Sequence, residues 1–518
     1  MHPASSISRR PGVASSLQRP GPVLLVYGLA LVKFALPFFL QNPVYEPHRD
    51  EFLYLAEGRH LSWGYLGSPP LLSLLSAISG LLGGGFFWIK FWPALFGAMT
   101  YVLAGRMILL FGGGRPALLL GFLPFVFGIF LRVHFMLSPD FLGVYFETLM
   151  VYGLVKQIRT GKPAGLYLMG LGFGLGVLSQ YTVLLFAAWL LIGLLLTPER
   201  KVLKNPHFYF AFLIGVLLLI PNLIWQVLHD WPAFRASAGT LVRIELLRDE
   251  LLFNLPGSFV WTAGLYWLLG TGAGKEYRWV GWMVSGVLAS VVVGGSRAED
   301  ALGIYPVLFG FGALFIGKLR RWRVGLAALV VVVGSVLDTG FLPMLPPKAL
   351  ARYYSQVPLF RQLGFLRWPD QHDHGLPRNF ADMLGWEEMA IKAARAYESL
   401  DSADRVGALL NCGGNCGEAG ALDYYAPKYS LPPVMGCRAN YALWTPAAYY
   451  DRDVYIVTTS DRGCMKNWAS AVIVDSVTHP YSTEYRSYIL LMRGPDAAVR
   501  QEWKRSYRAA HPQQLAAR

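Results

Sequence analysis

Charged side chains are scarce in this sequence: they make up 15% of the 518 residues, whereas hydrophobic residues make up 54%. About 25% charged residues is usual for soluble domains, so this composition excludes an ordinary soluble globular protein. Acidic residues are scarcer than basic ones, 32 against 46. The basic excess does not indicate nucleic acid binding, because Lys and Arg form short clusters between apolar segments. That arrangement is typical of a polytopic membrane protein.

Cysteine is also scarce, and none lies in the apolar part of the chain. The four cysteines are Cys412, Cys416, Cys437 and Cys464. An even number within one polar region favours two disulfides in an oxidising compartment. A four-thiolate zinc site is the alternative, but the wide separation of the last two cysteines is atypical of such sites.

About eleven apolar segments are predicted to be transmembrane helices. They cover residues 22–40, 88–110, 116–131, 141–155, 165–178, 181–196, 208–228, 251–270, 279–294, 301–316 and 324–342. Residues 1–21, rich in Ser, Pro and Arg, are predicted to form a disordered cytoplasmic tail. The first span lacks a cleavage signature and is predicted to stay uncleaved. The short segment 69–82 is predicted to be an interfacial helix.

The basic clusters predict the orientation of the chain. A helix break at Ser179–Gln180 places all five clusters on the side of the N-terminus, which is cytoplasmic by the positive-inside rule. An odd number of spans then places the C-terminus in the periplasm. We therefore predict a multi-pass protein of the plasma, or inner, membrane.

From about residue 343 the pattern becomes that of a soluble domain. A helix is predicted over Trp386–Leu400, and short buried strands over 406–410, 454–458 and 471–474. The predicted organisation is a transmembrane catalytic domain over 22–342, which includes the outer loop 41–87, and an extracytoplasmic α/β domain over 343–518 with disulfides.

Polar groups gather at the predicted outward ends of the spans, where burial of charge is costly unless it is paired or wet. They are Asp50 and Glu51, Asp140, Gln180 and Tyr181, His229 and Arg297. Two carboxylates with basic neighbours suit group transfer from an anionic donor. One carboxylate takes a proton from the acceptor, and a cation or a divalent ion neutralises the departing phosphate.

Each of these groups also has a plainer structural interpretation. Asp50 and Asp140 could be helix N-caps, the first for a helix beginning at Glu51. Arg297 could pair with Glu299 or Asp300 on the surface, and His229 could belong to an interfacial anchor. These physical arguments leave a transferase and a transporter both open.

A series of motifs that occur in a specific order favours a transferase over a transporter. They are Asp50 to Tyr54 (DEFLY), Gly64–Tyr65, Pro69–Pro70, Ser138 to Asp140 (SPD), Leu178 to Thr182 (LSQYT), His229 to Trp231 (HDW), Tyr305–Pro306, Phe380 to Trp386 (FADMLGW) and Gly417 to Tyr425 (GEAGALDYY). With them, nearly the whole chain resembles bacterial C-type membrane glycosyltransferases that use polyprenyl-phosphate sugars. This group includes protein mannosyltransferases and the lipid A aminoarabinose transferase.

The resemblance implies an inverting transferase that moves a hexose or pentose from an undecaprenyl-phosphate-like donor to an extracytoplasmic lipid, glycan or protein. It implies that Asp50 is the catalytic base and that Asp140 assists at the sugar or at a possible divalent metal ion. Lys90 and Arg297 correspond to the phosphate-binding cations. Further substrate-binding positions are Glu51, Tyr54, Tyr65, Gln180, Tyr181, His229 and Tyr305.

The sequence departs from the family pattern at three places. Gly67–Ser68 replaces an Asp-His pair, Gln180 replaces a lysine, and Cys416 replaces an aromatic residue. The alternative function is a polyprenyl-lipid flippase, which would show broken spans at matching positions of two related halves. No such repeat is present in the sequence.

Overall fold

The computed structural model describes residues 20–235, 254–294, 297–412, 416–436 and 440–511. Of the predicted disordered tail, residues 1–19 lie outside the described part. The described residues divide into two compact units, one within 20–40, 90–221 and 254–342, the other within 41–89, 222–235 and 343–511. The outer loop 41–87, predicted to be part of the transmembrane catalytic domain, lies in the unit that also contains the C-terminal domain.

The helices of ten or more residues are numbered in chain order. They are α1 Pro20–Leu40, α2 Arg49–Arg59, α3 Leu71–Leu81, α4 Phe86–Leu110, α5 Arg115–Val126, α6 Pro139–Thr160, α7 Ala164–Val177, α8 Val183–Leu195, α9 Pro206–Leu228, α10 Ser258–Gly270, α11 Arg278–Gly294, α12 Ile304–Ile316, α13 Arg321–Gly334, α14 Pro347–Gln356, α15 Trp386–Glu398, α16 Cys416–Tyr429 and α17 Ala497–Ala510. Shorter helices cover Ile129–Val133, Pro232–Arg235, Pro358–Gln362, Arg378–Ala381, Ser402–Gly407 and Tyr441–Trp444.

Each predicted span overlaps one helix of this series, namely α1 or one of α4 to α13. The predicted spans 116–131 and 324–342 end too late, because α5 ends at Val126 and α13 at Gly334. By length and composition, five described helices can cross a membrane: Pro20–Leu40, Phe86–Leu110, Pro206–Leu228, Lys275–Gly294 and Arg321–Gly340. A sixth candidate is Val183–Leu195 with Pro198–Lys204, which meet at an angle of 111°. The predicted break at Ser179–Gln180 is confirmed, because α7 ends at Val177 and α8 begins at Val183.

The predicted span 251–270 starts too early. Residues 251–253 lie outside the described part, and a 3-10 turn over Leu255–Gly257 precedes α10, which begins at Ser258. Pro256 within this turn has no backbone N–H to donate.

Small residues bring α7 and α9 into backbone contact. A side chain on Gly174 would place its Cβ 2.7 Å from the carbonyl oxygen of Gly215, and one on Gly170 would meet the carbonyl of Ala211. Spacing of four residues on both helices is the small-residue pattern of close membrane helix pairs. These two helices therefore pack through positions that tolerate no larger side chain.

A Gly174→Leu variant should lose stability, because overpacking a close contact costs about 1–3 kcal/mol. The matched control is Gly28→Leu in α1, where a Cβ would meet nothing within 4 Å. We expect detergent-extracted Gly174→Leu to unfold at a lower temperature than both the wild type and Gly28→Leu in heated size-exclusion chromatography. Equal stability of the two variants would contradict this packing.

A five-stranded sheet forms the centre of the C-terminal domain. Its strands are β1 Leu409–Cys412, β2 Val434–Met435, β3 Val454–Thr459, β4 Trp468–Ser476 and β5 Tyr488–Pro495, in the spatial order β2-β1-β3-β5-β4. β1 is parallel to β2 and β3, whereas β5 runs antiparallel to β3 and β4. One sheet face packs against α17 through a cluster that includes Leu409, Tyr455, Met492 and Trp503.

The predicted helix in this domain and the strand predicted over 454–458 match α15 and β3. The strand predicted over 406–410 is wrong in position, because Ser402–Gly407 is helical and β1 begins at Leu409. The segment 471–474 lies in a strand, β4, but it is not buried: Val472 is 53% exposed. β4 is an edge strand, so apolar residues there do not require burial on both faces.

Candidate active site

Asp50 lies in the first turn of α2, where His48 and Glu51 form a capping box. The preceding His48 is the N-cap: its Nδ1 accepts a hydrogen bond from the Asp50 backbone N–H at 3.1 Å. The His48 backbone N–H in turn donates to Glu51 Oε2 at 2.7 Å. Asp50 is therefore not the N-cap, and its carboxylate remains available for another role. Glu51, predicted to bind substrate, is buried and completes the capping box.

A second carboxylate, Asp382, contacts the two residues that precede Asp50. Its Oδ2 lies 3.6 Å from Arg49 Nη1 and 3.8 Å from His48 Nε2, and its Oδ1 accepts a hydrogen bond from Thr483 Oγ1 at 2.8 Å. The Arg49 backbone N–H also donates to the Asp382 carbonyl at 2.9 Å. Asp382 belongs to the 380–386 motif, but no pattern in the sequence indicates this role.

The charges around Asp50 favour its ionised form. Desolvation acts against the carboxylate, but His48, Arg49 and Arg378 together hold the pKa of Asp50 below its ordinary value. Arg49 Nε lies 3.1 Å from Asp50 Oδ1. The Asp50 side chain is 45% exposed, whereas that of Asp382 is 2% exposed. The Asp50 carboxylate is thus accessible to solvent, and the two residues before it contact the buried carboxylate of Asp382.

Glu57, on the same helix, is buried in a network of neutral donors. Its carboxylate accepts hydrogen bonds from Ser68 Oγ at 2.9 Å, Ser73 Oγ at 2.7 Å and Asn440 Nδ2 at 2.6 Å. Burial raises its pKa to about 7, although these hydrogen bonds oppose the shift. Ser68 is one of the two residues that replace the family's Asp-His pair, and its hydroxyl serves this network.

The raised pKa of Glu57 predicts a pH-dependent stability. The folded protein binds this proton more tightly than the unfolded chain, so the contribution of Glu57 is most favourable below its unfolded pKa and is lost as pH rises through about 7. A shift from 4.5 to about 7 corresponds to about 3 kcal/mol.

The test compares the wild type with Glu57→Gln, which keeps the size and a carbonyl acceptor. Thermal unfolding at pH 5 and pH 8 should show a smaller loss of stability at the higher pH in Glu57→Gln than in the wild type. Glu46 also has a pKa raised to about 7 by burial, so the difference between the two proteins, rather than the wild-type slope, isolates Glu57. Parallel pH profiles would contradict the prediction.

Tyr65 and His229 were predicted to bind substrate, and the structure shows structural contacts for both. The Tyr65 hydroxyl is buried, 3.0 Å from the Glu57 carbonyl oxygen, and accepts from the Ser62 N–H. The His229 ring stacks on Trp225 at 4.0 Å between centroids. Trp225 also packs directly on Gly64, where no side chain would fit. Tyr54 is half-buried on α2.

In the other unit, Asp140 and Arg297 form a second charged cluster. Arg297 Nη2 lies 3.1 Å from Asp140 Oδ1 and 3.3 Å from Asp300 Oδ1. Gln180 Nε2 donates to the same Asp300 oxygen at 3.1 Å. Residues from three separate segments of the chain, including the predicted helix break, therefore meet here.

The contacts in this cluster test the plainer structural interpretations, which were a helix N-cap for Asp140 and surface ion pairing for Arg297. The N-cap position of α6 is Ser138, whose hydroxyl donates to Asp140 Oδ2 at 3.0 Å, so Asp140 is not the cap. Arg297 does pair with Asp300, as the plainer interpretation expected, whereas Glu299 pairs with Arg132 at 2.9 Å. Burial raises the pKa of Asp300, and the Arg297 guanidinium opposes that rise. The Arg297 side chain remains 61% exposed in spite of these ion pairs.

The remaining predicted substrate positions of this unit have different environments. Lys90 is buried, with Nζ 5.5 Å from the centre of the Phe135 ring. Tyr305 is buried edge-on to Trp261, and Tyr181 is half-buried at the helix break. Their substrate roles stay predictions.

The predicted disulfides are wrong as a set of two. Cys464 is a free thiol whose Sγ donates to the Asp461 carbonyl at 3.0 Å. Cys437 and the side chain of Cys416 lie outside the described part, and Cys412 is buried at the end of β1. Among the described residues, no group of three or more His, Cys, Asp or Glu side chains is arranged to hold a metal ion.

Comparison with known structures decides the fold. ArnT from Cupriavidus metallidurans in the apo state matches with a TM-score of 0.61 over 90% of this chain and 97% of that chain, at 12% identity. The same protein bound to undecaprenyl phosphate matches with a TM-score of 0.59, also at 12% identity. The chain has the fold of ArnT. The predicted fold class, a polytopic helical membrane protein with a C-terminal α/β domain, is confirmed.

Sequence comparison identifies relatives of part of this ArnT-like chain. Residues 67–225 match the family profile of dolichyl-phosphate-mannose-protein mannosyltransferases. The lipid A galacturonosyltransferase RgtD of Rhizobium johnstonii is 28% identical over 193 residues, which are 35% of this chain and 38% of that protein. The matched region thus spans well under half of this curated relative. The predicted resemblance to membrane glycosyltransferases that use lipid-linked sugars is confirmed.

Proposed function

We propose that this protein is an inverting glycosyltransferase that moves a sugar from a polyprenyl-phosphate donor to a lipid, glycan or protein acceptor outside the cytoplasm. The observation that carries the proposal is the Asp50 carboxylate: it is accessible, and the contacts of His48 and Arg49 with the buried Asp382 fix its segment. A positioned, accessible carboxylate can take the proton of an acceptor group.

The proposed reaction is a single in-line displacement at the anomeric carbon. The acceptor oxygen or nitrogen forms a bond to that carbon while the bond to the phosphate oxygen breaks, which inverts the configuration. Asp50 takes the acceptor proton, and the polyprenyl phosphate leaves with the bonding electrons. Arg297 and Lys90 would neutralise the phosphate, and the planar Arg297 guanidinium suits bidentate binding.

The location follows from the same proposal. We place the N-terminus in the cytoplasm and the C-terminal domain in the periplasm of a plasma membrane, as the basic clusters predict. A lipid-linked donor suits an outward site because the carrier brings activated sugar to a compartment that lacks nucleotide sugars.

The test is transfer by purified protein in proteoliposomes. Donor lipids with different undecaprenyl-phosphate-linked sugars are incubated with envelope lipids, and mass spectrometry follows the acceptor and the released undecaprenyl phosphate. A transferase adds one sugar mass to the acceptor and releases the carrier in equal amount. A flippase would move the donor across the bilayer and leave it intact, which would refute the proposal. Envelope lipids of a deletion strain should lack the same sugar increment.

A further inference from the structure

A cavity of about 450 Å³ lies in the C-terminal domain, between the sheet and α17. Its volume falls in the range of small-molecule sites. The floor is buried and includes Asn411, Val457 and Met492, while Asp461 and Glu502 lie at the exposed rim. None of the residues in the predicted transfer machinery contributes to the lining.

The cavity lies where an open α/β sheet usually binds ligands. β1 and β3 are parallel neighbours that end at Cys412 and Thr459, and both residues line the cavity. The chain leaves the two strands toward opposite faces: α16 follows β1, and its Glu418 accepts from Thr458 on the far face, whereas Cys464, after β3, packs in the cluster of the α17 face. This divergence is the topological switch point at which such sheets bind ligands.

Asn411 is the feature of this cavity that packing does not explain. It is 6% exposed and shares its sheet face with the apolar residues Leu409 and Val457. Asn411 lines the cavity, and its side chain makes no hydrogen bond to another residue in the described part of the chain. The side chain of Asn has both donors and an acceptor, so it can hydrogen-bond a polar molecule that enters the cavity.

The other lining groups indicate the chemistry of that ligand. The indole rings of Trp468 and Trp503 lie 5.7 Å apart between centroids and form an aromatic wall. Hydroxyl, amide and carboxylate groups surround it, and none of the described lining residues is Lys, Arg or His. Aromatic faces bind apolar C–H surfaces, while amides and carboxylates bind hydroxyl and amino groups. The absence of cations from this lining disfavours anionic ligands.

We propose that this cavity is a saccharide-binding site for neutral or amino sugars and that it rejects uronic acids. Asn411 hydrogen-bonds the sugar from the floor, Trp468 stacks on its apolar face, and Glu502 accepts from a hydroxyl or amino group at the rim. The site is a binding site and needs no transfer step, so its test does not depend on the proposed transferase activity.

The experiment is saturation-transfer difference NMR on the full-length protein in detergent micelles. The probes are glucosamine, methyl β-D-glucopyranoside and galacturonic acid. We expect the first two to bind and galacturonic acid to bind at least tenfold more weakly. Equal binding of galacturonic acid, or binding of none of the three at millimolar concentration, would overturn the proposal.

Substitutions of lining residues test whether the sugars bind in this cavity. Asn411→Leu should weaken both binding probes at least tenfold without lowering the unfolding temperature, because an apolar side chain of similar size replaces the amide. Glu502→Gln should weaken glucosamine more than the neutral glucoside. The control Gln501→Ala alters an exposed neighbour on α17 that does not line the cavity and should leave binding unchanged. Unchanged binding by both Asn411→Leu and Glu502→Gln would also overturn the proposal.

Discussion

Replacing Asp50 by Asn should lower kcat for sugar transfer by a factor of about 10² to 10⁴, the usual contribution of a general base. Asn keeps the size of the side chain but cannot take the acceptor proton. The fold should survive, because the cap of α2 uses the Asp50 backbone N–H and the side chains of His48 and Glu51, not the Asp50 carboxylate. Single-turnover transfer in proteoliposomes measures the effect, and KM for the donor should change only a few-fold.

Two further variants make this prediction specific. Asp50→Glu keeps a carboxylate and should retain more activity than Asp50→Asn, since only its reach changes. Asp453→Asn removes a 75% exposed carboxylate that pairs with Arg500, and it should leave transfer unchanged. If Asp50→Asn turned over within a few-fold of the wild type while its unfolding temperature was normal, Asp50 would not be the base.

The helices were predictable because long apolar runs separated by basic, Gly-rich or Pro-rich segments specify spans almost independently of tertiary packing. The break before Gln180 followed from charge alone: only two helices there keep the basic clusters on one side. The predicted helix boundaries were less accurate where a 3-10 turn precedes a helix and continues its apolar pattern, as before Ser258.

The candidate site was only partly predictable, because charge pairing across the chain has no signature in one sequence. Asp140 and Arg297 were each selected for their position at a span end, yet their contact at 3.1 Å joins residues 157 positions apart. Asp382 and Asn440 were missed for the same reason, although the motif that contains Asp382 was recognised. The disulfide prediction failed because an even cysteine count says nothing of geometry, and Cys464 forms a thiol hydrogen bond instead.

Substitution of Arg297 is the second change for which we expect a large effect, here on phosphate binding. Arg297→Gln should weaken binding of undecaprenyl phosphate about tenfold to a hundredfold, because hydrogen bonds to charged groups contribute about 1.5–3 kcal/mol. Arg297→Lys keeps the charge but loses the planar fork, so it should bind with intermediate affinity. Stabilisation against thermal unfolding by added undecaprenyl phosphate measures the affinity. Arg115→Gln, an exposed arginine on the predicted cytoplasmic side, is the control and should bind normally.

A double-mutant cycle with Asp140 tests whether Arg297 binds the phosphate or only neutralises the neighbouring carboxylates. If Arg297 only neutralises Asp140 and Asp300, Asp140→Asn should remove much of the penalty of Arg297→Gln, because one of the two carboxylates left without a cation is gone. If Arg297 binds the phosphate directly, Arg297→Gln should weaken undecaprenyl phosphate binding by the same factor with Asp or Asn at position 140. We expect the second result, since the Arg297 side chain is 61% exposed although it pairs with Asp140 and Asp300. Recovery of affinity in the double variant would assign Arg297 to the support of Asp140 alone.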